Sequence, residues 1–267
     1  MARFDSRHRD IRNLPGFGLT AVICVVFLYA PVLFLALLSF NSGRSIGRFD
    51  GFSLQWYAAV FRNEAIHAAT LNSLIVAGVA ATVGTVLATA AALATVRMAF
   101  RGKAAAFSIL NLPLMVPEIV TAVATLIFFA SIGVGLGLGA IIIAHITFCI
   151  PFAYLPIRAR LMSMDATLEA AAADLFATPA KAFRRITLPL LVPGLISGWL
   201  LAFIVSLDDF IISAMLSGPG STTLPVHIYS MLRLGLTPEV NAVSSLMIVA
   251  STILVTASGL IARRTGP

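Results

Sequence analysis

Three carboxylates lie within or at the edge of long apolar runs, where an ionised side chain is costly. They are Glu118, Asp208 and Asp209. A charge at the centre of a bilayer costs about 2.5–3.5 kcal/mol on insertion scales, so each acid is expected to face a cavity or a partner instead of lipid. Such carboxylates attract cations. We therefore hypothesise that these residues line a path for a positively charged solute.

Each acid also has a structural interpretation. Glu118 follows Pro117, so it could stabilise the N-terminus of a helix that restarts inside a broken span. Asp208 and Asp209 could lie just beyond the hydrocarbon edge and satisfy the backbone of the loop that begins at Gly218. A neighbouring subunit could also supply the counter-charges. The residue types alone leave these alternatives open.

The composition sets the class of protein. Of 267 residues, 59% are hydrophobic and 11% charged, against about 45–50% and about 25% in soluble domains. The mean hydropathy of +0.99 excludes a soluble enzyme and also a soluble protein with one anchor. Cys24 and Cys149 lie in apolar runs and indicate neither a disulfide framework nor a metal site. The sequence has no phosphate-binding GxxxxGK[ST] loop and no legible catalytic constellation, so we expect neither enzymatic activity nor a metal.

Six apolar runs are long enough to cross a bilayer, which takes about 20 residues of helix. Continuous runs of this length favour helices over the short alternating strands of a barrel. The sequence therefore predicts an all-α membrane protein, with residues 1–267 as one transmembrane domain. The runs cover residues 17–40, 68–96, 104–133, 138–157, 190–216 and 242–262.

The basic residues predict the orientation. With the N-terminus inside, 14 of the 18 lysines and arginines fall on the cytoplasmic side, as topology rules require. Both termini are therefore predicted to be cytoplasmic. Along straight helices, Glu118 and Asp208 then lie about 21 Å and about 27 Å from the cytoplasmic starts of their runs, in the outer half. Topology and contact with anionic lipids account for the net charge of +7, which argues against nucleic-acid binding.

Two further features concern packing inside the bilayer. His145 lies in the fourth run, where a lone histidine is more often a hydrogen-bonded packing residue than a ligand. Small residues in the second run, such as Ala77, Gly78 and Gly84, allow close contact between helices or between subunits. Trp56 fits either an aromatic belt at the interface or a docking surface.

The loop of residues 158–189, between the fourth and fifth runs, is longer than a turn needs. Asp165 is a candidate N-cap for a first short helix, and Thr178 followed by Pro179 starts a second. The two helices would join at residues 175–177, which places the apolar Phe176 on a cytoplasmic projection. Either a partner covers Phe176 or its side chain folds back onto the helix pair.

This loop resembles the cytoplasmic EAA loop of ABC importer permeases, in which a short helix docks into a groove on the ATPase subunit. The resemblance rests on Glu169-Ala-Ala-Ala-Ala-Asp-Leu-Phe-Ala177 and Ile186-Thr-Leu-Pro189. The motif's glutamate aligns with Ala170 and its glycine with Phe176. Since phenylalanine does not adopt positive φ as cheaply as glycine, we expect a different turn, near Ala177 and Thr178. The resemblance implies that the residues coupled to the ATPase are Glu169, Ala170, Ala171, Asp174, Phe176 and Ala177.

Over nearly the whole chain, the sequence is similar to the second permease of spermidine/putrescine importers. The similarity is carried by Gly51-Phe-Ser-Leu-Gln-Trp-Tyr57, His145-Ile-Thr-Phe-Cys-Ile-Pro-Phe152 and Ser206-Leu-Asp-Asp209. It implies a type I ABC importer permease fold in the bacterial inner membrane. It also implies a second permease subunit, two ATP-binding subunits that hold ATP and Mg, and a periplasmic solute-binding protein, with no cofactor on this chain.

Two alternatives remain for the function. The first is an ABC permease for a different small solute, because related permeases share much of the pattern. The second is a self-contained secondary transporter driven by an ion gradient, which would leave the two-helix inner loop unexplained and lacks paired broken helices.

Overall fold

The structure is a computed structural model that describes residues 17–43, 49–165, 167–234 and 238–264. These residues are helical apart from turns, loops and an isolated antiparallel bridge between Asn41 and Phe52, which confirms the all-α prediction. The helices are α1 (Phe17–Leu38), α2 (Gln55–Val60), α3 (Glu64–Arg97), α4 (Lys103–Asn111), α5 (Glu118–Ser131), α6 (Leu138–Ser163), α7 (Thr167–Asp174), α8 (Pro179–Ala182), α9 (Leu188–Asp208), α10 (Ile211–Leu216), α11 (Leu224–Leu234) and α12 (Pro238–Arg264).

Five helices in the described part of the chain are long and apolar enough to cross a membrane. They are α1, α3, α6, the continuous helical stretch Pro179–Asp208, and α12. A sixth span results if the bent pair of α4 and α5 counts as one. The structure therefore has five or six apolar spans where the sequence predicts six.

Two predicted runs are not continuous helices. In the third run, α4 passes into a 3₁₀ turn, Leu112–Leu114, and α5 restarts at Glu118 with a bend of 102°. Pro113 and Pro117 supply no backbone N–H for a continuous helix, which explains this break. In the fifth run, α9 ends at Asp208 and α10 begins at Ile211, because Asp209 takes an extended backbone conformation.

The predicted loop of residues 158–189 is shorter in the structure. Helix α6 continues to Ser163, so Arg158 and Arg160 lie on a helix. The Arg158 guanidinium lies 4.8 Å from the ring centre of Phe107, and Arg160 Nε donates to the Leu190 carbonyl at 2.9 Å. The second short helix is not separate either, since α8 leads into α9 through a π-helical turn, Phe183–Thr187. That turn precedes Pro189, which lacks the N–H of a regular helical bond.

The chain divides into two compact units, of which the larger spans residues 63–234 and 247–267. Its core is formed by buried side chains of α3, α6 and α9. Ala77, Ala80 and Ala81 of α3 are fully buried, and a Cβ placed on Gly84 would lie 3.3 Å from the Cys149 Cβ of α6. These alanines and Gly84 therefore serve packing between helices of this chain, whereas nothing lies within 4 Å of a Cβ placed on Gly78.

The smaller unit spans residues 1–62 and 235–246. After α1, the Asn41 side chain is buried and accepts the backbone N–H of Asp50 at 2.8 Å. Trp56 Nε1 donates to the Asn41 carbonyl at 2.7 Å. Trp56 therefore stabilises the segment that follows α1 through this hydrogen bond.

Gly198 of α9 allows a close approach to the backbone of α6. A Cβ at this position would lie 2.8 Å from the Ala153 carbonyl oxygen and 3.1 Å from Ile157 Cγ1. We expect Gly198→Ala to destabilise the protein by about 1–3 kcal/mol through overpacking, seen as a lower Tm of the protein purified in detergent. The matched control is Gly78→Ala on α3, where nothing lies within 4 Å of the added methyl. Equal Tm values for the two variants would contradict this packing argument.

Candidate functional site

A buried polar cluster lies at the break between α9 and α10. Its centre is His145 of α6, which is fully buried. The His145 Nδ1 lies 2.7 Å from Ser206 Oγ, and Nε2 lies 3.1 Å from Asp209 Oδ2 and 3.2 Å from Ser213 Oγ. His145 is thus confirmed as a hydrogen-bonded packing residue, and it joins α6 to both sides of the break.

Asp209 is the acid that this cluster holds. Its side chain is 1% exposed. Besides contacting His145, Asp209 accepts the backbone N–H groups of Ile212 at 3.3 Å and Ser213 at 2.8 Å. These are donors of the first turn of α10, which have no partner within the helix. Asp209 therefore accepts hydrogen bonds from nearby backbone N–H groups, which is the structural alternative that the sequence offered. The backbone concerned is the start of α10 and not the loop at Gly218.

The structure places the other two acids differently. Glu118 is half-buried at the start of α5, and its carboxyl group faces that of Asp209 at hydrogen-bonding range. Asp208 is exposed and accepts a hydrogen bond from Ser251 of α12. Glu118 and Asp209 thus form one pair while Asp208 stands apart from it. A hydrogen bond between two carboxyl groups needs one shared proton, so the pair carries one negative charge that can attract a cation.

The sequence reasoning did not single out Ser206 and Ser213. They lie three residues before and four residues after Asp209, on opposite sides of the break between α9 and α10, so no single helical face joins them. Nothing local connects the cluster to His145, which is 64 residues from Asp209. Among the described residues, no three His, Cys, Asp or Glu side chains are grouped as a metal site requires.

The second candidate site is the helical hairpin, defined as Thr167–Ala182 and made of α7, the joining turn and α8. Both predicted caps are confirmed. Asp165 Oδ1 accepts the backbone N–H of Thr167 at 2.9 Å, and Thr178 Oγ1 accepts that of Lys181 at 3.4 Å. The hydrogen bond from Thr167 holds the pKa of Asp165 below its usual value. The stabilisation from this cap is therefore present at neutral pH and is lost as the pH falls through the lowered pKa.

The turn of the hairpin corrects one expectation. Phe176 has a φ of +56°, so the left-handed residue is at the position of the motif's glycine and not near Ala177 and Thr178. The Ala177 N–H bonds the Ala172 carbonyl at 3.0 Å, and the Phe176 N–H bonds that of Ala173 at 2.9 Å. This is a Schellman ending, which favours glycine at the left-handed position. Its hydrogen bonds retain the turn although the residue is phenylalanine.

Phe176 is 95% exposed, so the alternative in which it folds back onto the helix pair is wrong. Its neighbour Leu175 is 82% exposed. The hairpin therefore ends in an apolar tip made of these two residues. Exposed apolar surface on a projection is typical of a contact site for another protein.

The residues of the predicted coupling set divide between two faces. Ala170, Ala171, Asp174 and Phe176 are exposed, whereas Glu169 and Ala177 are partly buried. Glu169 Oε1 accepts the Thr187 hydroxyl at 2.8 Å and lies 3.5 Å from an NH₂ nitrogen of Arg97. Sequence reasoning missed Arg97 and Thr187, because both lie on other elements.

Comparisons with known proteins identify the family. Residues 84–266 match the family described as "Binding-protein-dependent transport system inner membrane component". The chain is 40% identical to the spermidine/putrescine transport system permease protein PotC of Haemophilus influenzae, covering 91% of this chain and 94% of that protein. It is 41% identical to the putrescine transport system permease protein PotI of Escherichia coli, covering 85% of this chain and 84% of that protein.

The fold is shared with a solved structure, that of a bacterial ABC transporter involved in the import of the acidic polysaccharide alginate. The TM-score is 0.73 at 20% identity, and the match covers 92% of this chain and 93% of that chain. The resemblance drawn from the sequence is thereby confirmed. The apolar helices and the relatives together show a multi-pass protein of the bacterial inner membrane, and the chain belongs to the family of binding-protein-dependent transport system inner membrane components.

Proposed function

We propose that this chain is a membrane-spanning subunit of an ATP-driven importer for polyamines, such as spermidine and putrescine, or for a related small organic cation. It acts with a second, similar permease subunit, two ATP-binding subunits and a periplasmic solute-binding protein. ATP and Mg bind to the ATP-binding subunits. Residues 1–267 form a single permease domain of the type I importer class, with six spans and both termini in the cytoplasm.

One observation carries the coupling part of the proposal, namely the state of Phe176. An aromatic side chain that is 95% exposed and held at a left-handed φ of +56° is unfavourable for the isolated chain on both counts. The hydrogen bonds of the Schellman ending account for the φ value, and the exposure is understandable if Phe176 and the exposed face of α7 insert into a groove on the ATP-binding subunit. Ala170, Ala171 and Asp174 would lie along that contact, with Ala177 behind the turn.

The acids support a cationic solute. Glu118 and Asp209 form a hydrogen-bonded carboxyl pair that carries a negative charge, and the exposed Asp208 adds a third carboxyl group nearby in sequence. The two relatives described above are named for spermidine and putrescine transport. The alginate transporter shares the fold and imports an acidic polymer, so the fold does not set the charge of the solute. The residues of the site must do so.

Reconstitution tests this function. The chain is co-expressed with the second permease and the ATP-binding subunit, purified through a tag on this chain, and placed in proteoliposomes with the solute-binding protein. We expect uptake of radiolabelled spermidine or putrescine that requires ATP and all subunits. Uptake by this chain alone without nucleotide would indicate a secondary transporter. ATP-dependent uptake of another solute, with no uptake of polyamines, would support the role as an importer subunit and contradict the proposed polyamine substrate.

A further inference from the structure

A cavity of about 350 Å³ lies beneath the helical hairpin. Leu93 and Arg97, at the end of α3, line one side, and Glu169 and Ala173 of α7 line another. Phe183 and Thr187 of the π-helical turn also line it. Side chains across such a space lose the close atomic contacts that would make two elements move together. The hairpin could therefore shift towards the cavity without displacing α3 unless something links them.

Glu169 supplies such a link. Its Oε1 accepts the buried Thr187 hydroxyl at 2.8 Å and lies 3.5 Å from the Arg97 guanidinium. The Glu169 and Arg97 side chains are 32% and 22% exposed, so both are shielded from most of the solvent. The hydrogen bond from Thr187 is charge-assisted and therefore stronger than a neutral one, whereas the contact with Arg97 is an ion pair without a hydrogen bond. One carboxylate thus joins α7 to the end of α3 and to the turn that leads into α9.

The direction of Glu169 separates it from the outward face of α7. Ala170, Ala171 and Asp174 are exposed, and they are available to another subunit. The Glu169 carboxylate points towards its own chain, where it accepts the Thr187 hydroxyl and lies beside the Arg97 guanidinium. These contacts within the chain favour a role for Glu169 in linking helices of its own subunit.

We infer that Glu169 is a positioning residue that transmits movement of the helical hairpin to α3 and α9 through Arg97 and Thr187. This inference rests on the proposed function, since the movement comes from the ATP-binding subunits. It assigns the two faces of α7 different tasks. The exposed face receives the displacement, and Glu169 passes it across the cavity to the membrane helices.

The test uses the complete reconstituted complex and measures the number of polyamine molecules taken up per ATP hydrolysed. We expect Glu169→Gln and Arg97→Gln to lower this ratio at least about fivefold, the lower end of typical coupling between sites. Retention of the ATP-binding subunit on the tagged chain should be unchanged. The matched control is Arg101→Gln, which removes one positive charge from an exposed residue just after α3 and outside the helical hairpin, and should leave the ratio unchanged.

A charge-reversed pair distinguishes a specific link from general damage. Glu169→Arg combined with Arg97→Glu should restore at least part of the ratio that each single change lowers. An unchanged ratio in Glu169→Gln and Arg97→Gln would overturn the inference. The proposed function would still stand if the parent complex showed ATP-dependent uptake. Loss of the ATP-binding subunit from Glu169→Gln would also overturn it, because Glu169 would then be a partner contact. If the parent complex itself shows no ATP-dependent uptake, the proposed function fails instead.

Discussion

Phe176→Gly should uncouple the importer while leaving the helical hairpin intact. Glycine at the left-handed position of the Schellman ending removes a strain of about 1–2 kcal/mol, so the turn is retained. The same change removes the exposed ring, and loss of an aromatic anchor at an interface typically costs about 2 kcal/mol or more. That cost corresponds to about 30-fold weaker binding of the ATP-binding subunit. The measurements are the affinity of that subunit for the purified permease pair and ATP-dependent polyamine uptake.

Two further substitutions at this position separate strain from contact. Phe176→Tyr keeps the ring and should keep uptake. Phe176→Ala loses the ring and keeps the φ of +56° unfavourable, so its Tm should be lower than that of Phe176→Gly while both lose affinity. Full affinity in Phe176→Gly would show that the aromatic tip does not contact the ATP-binding subunit.

Adjacent aspartates should respond in opposite ways to substitution. Asp209→Ala leaves the N–H groups of Ile212 and Ser213 without their acceptor and removes one of the two contacts of the buried His145 Nε2. Since each buried group left unpaired costs about 1–3 kcal/mol, we expect a total loss of stability of at least about 2 kcal/mol. The measurements are the amount of protein in the membrane and its Tm in detergent. Asp209→Asn retains a carbonyl oxygen and should lose less.

Asp208→Asn, in contrast, should preserve folding and reduce transport. Asp208 is exposed, and asparagine can still accept the hydrogen bond from Ser251. Removing one attractive charge near a cation path costs about 1 kcal/mol or more, which is about fivefold in uptake at low polyamine concentration. Retention of the ATP-binding subunit should be unchanged. Unaltered uptake would remove Asp208 from the path.

Local rules of the sequence predicted the helices better than their breaks. The first, second, fourth and sixth apolar runs correspond to α1, α3, α6 and α12, because a bilayer requires each span to satisfy its own backbone over about 20 residues. The caps at Asp165 and Thr178 also depend only on nearby residues. The break before Glu118 was one alternative that Pro117 offered, and the structure confirms it; the break at Asp209 lies inside an apolar run, where hydropathy changes little. There the proline positions and the buried acid mattered more than the average composition.

The turn at Phe176 shows how a local rule can mislead. Phenylalanine argues against a left-handed residue, yet the two hydrogen bonds that close the end of α7 hold the turn at that position. The cost of the left-handed conformation is smaller than the combined benefit of those bonds and of the start of α8 at Pro179.

The sequence by itself determined that this is a helical membrane protein, that a two-helix hairpin follows the fourth apolar run, and that three acids lie where charge is costly. These conclusions depend on the solvent properties of the bilayer and on residues within a turn or two of one another. Only the tertiary structure decided that Asp209 is held by His145 and paired with Glu118, that Asp208 is exposed, and that Glu169 faces Arg97 and Thr187. Those contacts join residues far apart in the chain. They depend on how the packed helices are rotated and shifted relative to one another, and a helix face of small apolar residues does not specify that rotation or register.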